Sequence, residues 1–397
     1  MASKDRQVAQ ATATLKELAA IDISNPETHS DIIRKCQSII SALQDPITVL
    51  TDIFAGGTSY PCIVALSNLG VFTKLARANG PLTAAQLAEQ CDAERGLIVR
   101  LMRVATAEGI VTETGPETYT AAPATNILAI PAAAAGLRVN HRTSKVVHSL
   151  PDYLNECHHR APASYTNGLF QYHHKTDLGA FEYWAHNDEW TREFNLFMTL
   201  HNQIGQNWAE ECNAKRLIFD GVEIDPSVPL VVDIGGGIGQ DLRLLKKHLG
   251  SQVSKGQLVL EDLAHVIDNI PRDMHDGDIK YVKYDMFTPQ PVKGARIYCL
   301  KTVLHDWPDD KVLEILRHTA ASLTPGKSKV WLLNPIVPDM GVSKGLVWAD
   351  ISMMALHASL ERTEAQWVQL LAEAGLKITN VQIMAHNYGL IEAELEG

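Results

Sequence analysis

A histidine follows an apolar segment in the stretch KTVLHDWPDD, residues 301–310. The apolar run ARIYCLKTVL is typical of a buried strand, and a helix-like segment begins near Pro308. An imidazole with a pKa of about 6.5 is expected to be mostly neutral at cytosolic pH and can accept a proton. His305 is therefore a candidate general base at the carboxyl end of a strand. Asp306 is expected to cap the helix that follows.

Glycines at alternate positions follow a second apolar segment, VVDIGGGIGQD, residues 231–241. Gly235, Gly237 and Gly239 permit a tight turn with positive φ, close approach of a ligand to the backbone, and free N–H groups at the next helix. The GxGxG spacing differs from the GxGxxG of dinucleotide folds, and no Gly-Lys-Ser/Thr follows as in a phosphate loop. The glycine loop alone is therefore weak support for a nucleotide-like ligand.

Two acidic residues end the next apolar segment, QLVLEDLAHVI, and Asp262 lies twenty-three residues after Gly239. An acid at the tip of the second strand is placed to accept hydrogen bonds from both ribose hydroxyls of an adenosine ligand. Strand alternation directs only one of Glu261 and Asp262 towards the ligand. The sequence leaves open which one.

Strand-like and helix-like segments alternate from Pro229 to the end of the chain. This alternation predicts an α/β domain whose largely parallel sheet is covered on both faces, with ligands at the carboxyl ends of the strands. The predicted strands are PLVVDIG, QLVLEDL, YVKYD, ARIYCLKTVL, KVWLLNPI, ITNVQIM and LIEAEL, and the predicted helices are QDLRLLKKHL, DDKVLEILRHTAASL and TEAQWVQLLAEAG.

The first part of the chain, residues 1–125, predicts helices followed by a winged helix. The turn at Gly80, the helices from Thr83 and Arg95, and a polar hairpin near Gly115 give that outline. A winged helix can bind DNA, but the acidic chain disfavours it, and a dimerisation and substrate-lid role is preferred. A helical connecting region, 126–228, is predicted to line a substrate cleft, and 229–397 is the cofactor domain.

The composition limits the class of partner. The chain has 397 residues, 46% of them hydrophobic, and a formal net charge of −11, which argues against a nucleic-acid surface. No uninterrupted apolar run reaches the roughly 18 residues of a membrane span, and no secretory signal is evident, so a cytosolic protein is expected. The six cysteines are scattered and no histidine pair has metal-ligand spacing, so no metal is expected.

Five ordered motifs, VVDIGGGIGQD, EDLAHVI, YDMF, KTVLHDWPDD and LERTEAQW, resemble the S-adenosylmethionine-dependent O-methyltransferases of plant phenolic and fungal secondary metabolism. The resemblance covers the winged helix and nearly all of 229–397. It implies a Rossmann-like class I methyltransferase domain with a mostly parallel seven-stranded sheet, preceded by an all-helical and winged-helix dimerisation domain. It also implies S-adenosyl-L-methionine as cofactor, a small-molecule substrate and a homodimer.

The resemblance further implies a role for individual residues. His305 is the general base, and Glu361 in LERTE matches a family carboxylate that orients the imidazole. Gly235, in the same loop as Gly237, approaches the methionyl part of the cofactor. The remaining implied cofactor contacts are Asp262 at the ribose, Asp285 and Met286 beside the adenine, and Lys301 at the methionine carboxylate.

One departure from the family pattern affects the catalytic histidine. The strand KVWLLNPIVP usually ends in a glutamate that also flanks this histidine, whereas Asn334 and Pro335 stand here and neither is anionic. Some fungal members of this fold bind the cofactor yet catalyse dehydration or pericyclic ring formation, with the sulfonium as electrostatic support. The retained His305 favours methyl transfer, and the missing glutamate keeps the second function open.

Substrate contacts are expected from three regions of the chain. The function inferred from the resemblance is O-methylation of a hydroxyl on an aromatic or polyketide-type metabolite, which needs an adaptable apolar pocket with a few polar groups. The candidate pocket residues are His141, Met198, Thr199, His201, Met353, Met354 and His357.

Overall fold

Helices and strands alternate along the residues that the computed structural model describes, which are 2–19, 28–201, 208–220, 225–384 and 388–396. Contacts group the chain into two units, Met1–Ile130 and Pro131–Gly397.

The first unit is helical with a small three-stranded sheet. The predicted winged helix is confirmed, because three helices are followed by a hairpin whose second strand also pairs with a short strand before the middle helix. A capping box between Thr83 and Gln86 fixes the start of that middle helix. The elements are α1 Ala2–Leu18, α2 His29–Leu43, α3 Pro46–Asn68, α4 Val71–Arg77, β1 Leu82–Thr83, α5 Ala84–Cys91, α6 Arg95–Ala107, β2 Val111–Gly115, β3 Thr118–Ala121 and α7 Pro123–Leu128.

Helix α3 exposes much of its apolar surface. Ile53 and Phe54 are 66% and 67% exposed. By length and composition alone α3 could cross a membrane, since its 23 residues include a window of mean hydropathy 1.4. A helix that a partner protein covers passes the same test, so this finding is weak evidence for a membrane span.

Short and medium helices open the second unit. Helix α8 packs against α12, and the side chain of Glu193 joins them by ion pairs with Arg138 and Arg142. This pairing fixes the helix that carries His141 against the helix that carries Met198. The helices are α8 Pro131–Val147, α9 Leu150–Glu156, α10 Leu169–His174, α11 Ala180–Ala185, α12 Asp188–His201, α13 Trp208–Glu211 and α14 Ala214–Phe219.

A seven-stranded sheet forms the centre of the second unit, with strand order β6-β5-β4-β7-β8-β10-β9. Its first five strands are parallel and β10 runs antiparallel to both neighbours. The predicted α/β fold with a mostly parallel sheet is confirmed. The strands are β4 Val231–Ile234, β5 Leu258–Asp262, β6 Ile279–Lys283, β7 Ile297–Lys301, β8 Lys329–Pro335, β9 Leu376–Ile383 and β10 Tyr388–Leu395, and the helices are α15 Gln240–Leu249, α16 Ala264–Asp268, α17 Asp309–Ala320, α18 Lys344–His357 and α19 Glu364–Glu373.

Both faces of this sheet are buried, as the near-continuous apolar strands predict. Val232 and Val259 pack on one face in a cluster with residues of α17 and α19, and Val231 and Leu260 pack on the other with residues of α15. Each fully buried aliphatic side chain contributes about 1.5–3 kcal/mol. This packing holds the carboxyl ends of the central strands at one edge, where the candidate site lies.

Candidate active site

The glycine loop joins β4 to α15. Gly235 and Gly237 have φ values of 71° and 59°, in the left-handed region that favours glycine. A Cβ at Gly235 would lie 2.9 Å from Cγ2 of Val303, whereas a Cβ at Gly237 would meet no atom within 4 Å. The loop therefore packs tightly at Gly235 and leaves open space at Gly237, where a ligand can approach the backbone.

Asp262 is the acid that contacts the glycine loop. Its carboxylate accepts hydrogen bonds from the N–H groups of Gly237 at 2.8 Å and Leu263 at 2.7 Å. Glu261 is fully buried, accepts from the side chain of Gln290 at 2.7 Å, and has its pKa raised by burial to about 7. Burial also raises the pKa of Asp262, although the two N–H donors oppose the shift. Of the two acids that the sequence left open, Asp262 is thus the one that faces the glycine loop, because Glu261 points into the core.

Asp285 and Met286 lie in the loop after β6. The N–H of Tyr284 donates to the carbonyl of Asp262 at 2.9 Å, which brings this loop beside the carboxyl end of β5. Asp285 is exposed, and its carboxylate accepts from the N–H of Phe287 at 3.1 Å. Met286 is half-buried against the core. Both residues therefore lie next to Asp262.

Lys301, the last residue of β7, forms a partly buried ion pair that the sequence did not indicate. Its Nζ lies 3.1 Å from Oδ1 of Asp241, which also accepts from the indole N–H of Trp208 at 3.0 Å. Burial lowers the pKa of Lys301, but Tyr388 and Asp241 outweigh it and leave the pKa raised. Asp241, in the first turn of α15, is the last residue of the quoted motif VVDIGGGIGQD, and that position is the only signal that pointed to it.

The chain turns sharply between β7 and the catalytic candidate. Thr302 has φ of 52°, which is unusual for a β-branched residue and costs about 1–3 kcal/mol. Its hydroxyl lies 3.2 Å from that of Tyr388. A single 3-10 turn, Leu304–Asp306, follows and carries His305. The predicted strand ARIYCLKTVL therefore ends at Lys301, and a strained turn rather than the strand positions the histidine.

The imidazole of His305 is held by Glu361. Its Nδ1 lies 2.8 Å from Oε1 of this carboxylate, and Glu361 is buried just before α19. The N–H of Glu361 donates to Asp350 at 2.9 Å, and a capping box at Thr363 fixes the start of α19. Because Nδ1 is engaged, Nε2 is the nitrogen available to a reactant.

Arg362 and Ser359 fix the backbone around His305. The buried guanidinium donates to the carbonyls of Leu304 and Trp307 at 3.1 and 2.8 Å and to the carboxylate of Asp309. The hydroxyl of Ser359 donates to the carbonyl of Trp307 at 2.8 Å. Sequence reasoning assigned neither residue a role, because each partner lies more than fifty positions away.

The electrostatic environment favours the protonated form of His305. Burial opposes the charged ring, but the carboxylates of Asp306 and Glu361 outweigh burial and raise the pKa of His305 to about 9. The expectation of a mostly neutral imidazole is therefore wrong, because the negative charges of two neighbouring carboxylates stabilise the protonated ring. A pKa of about 9 favours an imidazolium in the resting site at neutral pH.

Asp306 does not cap the following helix, so that prediction is also wrong. Helix α17 has Pro308 at its N-cap, without a side-chain hydrogen bond. Oδ1 of Asp306 instead lies 3.7 Å from Nε2 of His305 and 3.7 Å from Nε2 of His357. Burial raises the pKa of Asp306 to about 6, although the charge of His305 opposes this shift. The carboxylate thus belongs to the candidate site.

Asn334 is, with Pro335, one of the two residues that stand where the family pattern has a glutamate. It lies in β8, is 2% exposed, and neither atom of its side-chain amide has a hydrogen-bond partner among the described residues. Pro335 follows it as the last residue of the strand. The described carboxylates close to His305 are therefore those of Asp306 and Glu361.

The candidate substrate residues lie on three packed helices, since α8 contacts both α12 and α18. The hydroxyl of Thr199 donates to the carbonyl of Leu196 at 2.7 Å. Burial lowers the pKa of His141. His201 ends α12, and its side chain lies outside the described residues. Met198, Met353 and Met354 are half-buried and His357 is buried.

Aromatic side chains that sequence reasoning missed surround His357. The rings of Phe181 and Tyr165 lie 4.7 and 6.3 Å from the imidazole, measured between centroids. Tyr165 also lies 4.7 Å from Trp307. No group of three or more potential metal ligands occurs among the residues that the structure describes.

Two known protein families match parts of this chain. Residues 158–377 match the O-methyltransferase domain family, and residues 53–130 match the O-methyltransferase dimerisation domain family. O-methyltransferase penC of Penicillium thymicola is 32% identical over 94% of this chain and 92% of its own length. The chain belongs to the O-methyltransferase family. The family predicted from the sequence is thereby confirmed, as is the enzyme class.

Two solved structures have a fold similar to that of this O-methyltransferase-family protein. The structure titled a pericyclic reaction enzyme has a TM-score of 0.86 and 24% identity, covering 98% of this chain and 100% of its own. OxaC in complex with SAH and oxaline has a TM-score of 0.83 and 24% identity, covering 99% of both chains. At this identity the similarity concerns the fold.

Proposed function

We propose that the protein is an S-adenosylmethionine-dependent O-methyltransferase of fungal secondary metabolism that methylates a hydroxyl of an aromatic or polyketide-type compound. The observation that carries the proposal is the pairing of the partly buried His305 with the buried Glu361, which leaves Nε2 of the imidazole available at the sheet edge that also holds the glycine loop. A site for proton removal and a site for the cofactor therefore occupy the same edge.

The residues around the glycine loop, at the carboxyl ends of the central strands, fit S-adenosyl-L-methionine. The open space beside Gly237 admits a ligand, and Asp262 provides a carboxylate for ribose hydroxyls. Asp285 and Met286 would border the adenine. Lys301 and Asp241 offer opposite charges to the carboxylate and the amino group of the methionyl part. When bound, the cofactor supplies an activated methyl group on a positively charged sulfur.

His305 in this proposal accepts the proton of the substrate hydroxyl. A phenol has a pKa of about 10, close to the pKa of about 9 of His305, so proton transfer between them is nearly balanced. The resting imidazolium must first lose its proton, or bind a substrate that is already ionised. Glu361 keeps the ring orientated and stabilises its charge after the transfer.

The raised pKa of His305 predicts a distinctive pH profile. For a neutral phenol, kcat/KM is expected to increase with pH until about 9, since only the deprotonated ring of the free enzyme accepts a proton. Glu361→Gln removes one carboxylate that raises this pKa, so the rising limb should move to lower pH by roughly 1–2 units, with kcat reduced at least about tenfold. Initial rates measured from pH 6 to 10 test this prediction. Glu364→Gln, which changes an exposed residue of α19, is the matched control. If the rising part of the pH profile lies at the same pH in Glu361→Gln as in the wild type, Glu361 does not raise the pKa of His305 and the assignment is contradicted.

A second function is favoured by the charge of the same histidine. A partly buried imidazolium can stabilise negative charge that develops on a substrate oxygen, as a cofactor-bound pericyclase or dehydratase requires. The fold similarity to a pericyclic reaction enzyme is compatible with this alternative. In this alternative no methyl group is transferred.

Mass spectrometry of the purified protein with S-adenosylmethionine and a panel of hydroxylated metabolites separates the two functions. Methyl transfer gives a product heavier by one CH₂ and an equal amount of S-adenosylhomocysteine. A product of unchanged mass, or lighter by water, with intact cofactor would overturn the methyltransferase proposal and support the alternative.

A homodimer is proposed from α3 and from the dimerisation family match. Sedimentation is expected to give twice the chain mass of 43.6 kDa. Phe54→Glu should produce monomers, because it places a charge on an exposed apolar surface, whereas Val368→Glu on α19 should not. Wild-type protein that sediments as a monomer contradicts the proposal. The cytosolic location stays a prediction.

A further inference from the structure

One carboxylate oxygen lies between two imidazoles in the candidate active site. Oδ1 of Asp306 is 3.7 Å from Nε2 of His305 and 3.7 Å from Nε2 of His357. Both distances exceed the 2.7–3.2 Å of an N–H···O hydrogen bond. At this length neither imidazole Nε2 is hydrogen-bonded directly to Asp306, so the carboxylate oxygen and both nitrogens keep hydrogen-bonding capacity for a ligand.

The imidazole of His357 is expected to be uncharged at neutral pH, with one ring nitrogen as hydrogen-bond donor and the other as acceptor. It is 2% exposed, and burial together with the charge of His305 lowers its pKa to about 3. Its Nδ1 has no hydrogen-bond partner among the described residues, and its Nε2 has only the long contact with Asp306. Nε2 of His357 therefore has no short hydrogen bond within the part of the protein that the structure describes and can donate one to a ligand.

The surroundings of His357 favour a planar apolar ligand. Phe181, Tyr165 and Trp184 lie around the imidazole, with ring centroids 4.7 to 6.4 Å away. Tyr165 is parallel to it within 8°. An aromatic ligand packs well against these three rings, so the polar atoms of His357 and Asp306 lie beside an aromatic surface.

We propose that His357 and Asp306 form a subsite for a second hydroxyl, adjacent to the one that His305 deprotonates. This hydroxyl donates to the carboxylate of Asp306 and accepts from Nε2–H of His357. The inference rests on the proposed function and names its substrate class, an aromatic compound with two hydroxyls on neighbouring carbons. His357 is the residue that selects for the second hydroxyl.

Calorimetric titration with S-adenosylhomocysteine present tests this subsite, because that compound has no methyl group to transfer. The probes are 2,3-dihydroxynaphthalene and 2-naphthol, which differ only in the second hydroxyl. Wild-type protein is expected to bind the diol about tenfold more tightly, as two additional hydrogen bonds predict. A wild-type ratio near one overturns the inference without any variant.

His357→Phe is the diagnostic variant, since a phenyl ring matches the aromatic surroundings but cannot form hydrogen bonds. The diol preference should fall to about one, while the affinity for 2-naphthol stays within about twofold. His186→Phe changes an exposed histidine and should retain the preference. Thermal unfolding of each variant establishes that it is folded. A preference that persists in folded His357→Phe overturns the inference.

This experiment is independent of methyl transfer. If the diol preference is present and depends on His357, but mass spectrometry shows no methylated product, only the proposed function fails. If methylated products form and the diol preference is absent, only the subsite fails.

Discussion

Replacement of His305 by alanine is expected to abolish detectable turnover while the affinity for S-adenosylmethionine stays within about twofold. A positioned general base contributes about 10²–10⁴-fold, and the proposed cofactor contacts involve other residues. Product formation is measured by mass spectrometry and cofactor binding by calorimetry. His275→Ala, which changes an exposed histidine, is expected to leave both unchanged. Full activity in His305→Ala would remove this residue as the base.

His305→Arg separates the two candidate functions. The guanidinium retains a positive charge but cannot accept a proton at neutral pH. If the reaction is methyl transfer with His305 as base, the arginine protein should be as inactive as the alanine protein. If the imidazolium acts only as a cation, the arginine protein should retain much of the rearrangement activity that the alanine protein loses.

Asp262→Asn is expected to weaken S-adenosylmethionine binding by about 10–100-fold. The carboxylate is the proposed acceptor for both ribose hydroxyls, and a hydrogen bond to a charged group contributes about 1.5–3 kcal/mol. Asparagine keeps an oxygen that can accept from the N–H of Gly237, so the glycine loop stays in place. Asp262→Ala removes that acceptor as well and should bind the cofactor at least tenfold more weakly than wild type. Calorimetric titration with the cofactor measures both.

Glu261→Gln is the matched control for this change. Glu261 is fully buried and bonded to Gln290, and burial already raises its pKa to about 7, so a neutral amide is tolerated. Cofactor affinity should stay within about twofold. Unchanged affinity in the Asp262 variants, with weakened binding in Glu261→Gln, would transfer the ribose role to Glu261.

The sequence by itself determined the order of the elements and the edge of the sheet that carries the site. Continuous apolar strands, amphipathic helices and alternating glycines are local signals, because they depend on side-chain period and on allowed φ values. They placed Gly235, the acidic pair Glu261 and Asp262, and His305 at or near strand ends, whereas Lys301 came from the family resemblance. The ordered motifs then identified the family.

Only the tertiary structure decided the chemistry of these residues. The pKa of His305 depends on Glu361, fifty-six positions away, and on a burial that no local pattern reveals. The prediction that Asp306 caps the next helix was wrong for the same reason. Its carboxylate lies near His357, which belongs to α18 and comes close only in the folded chain. Charge states and hydrogen-bond partners follow from which distant segments share a buried space, and folding alone brings those segments together.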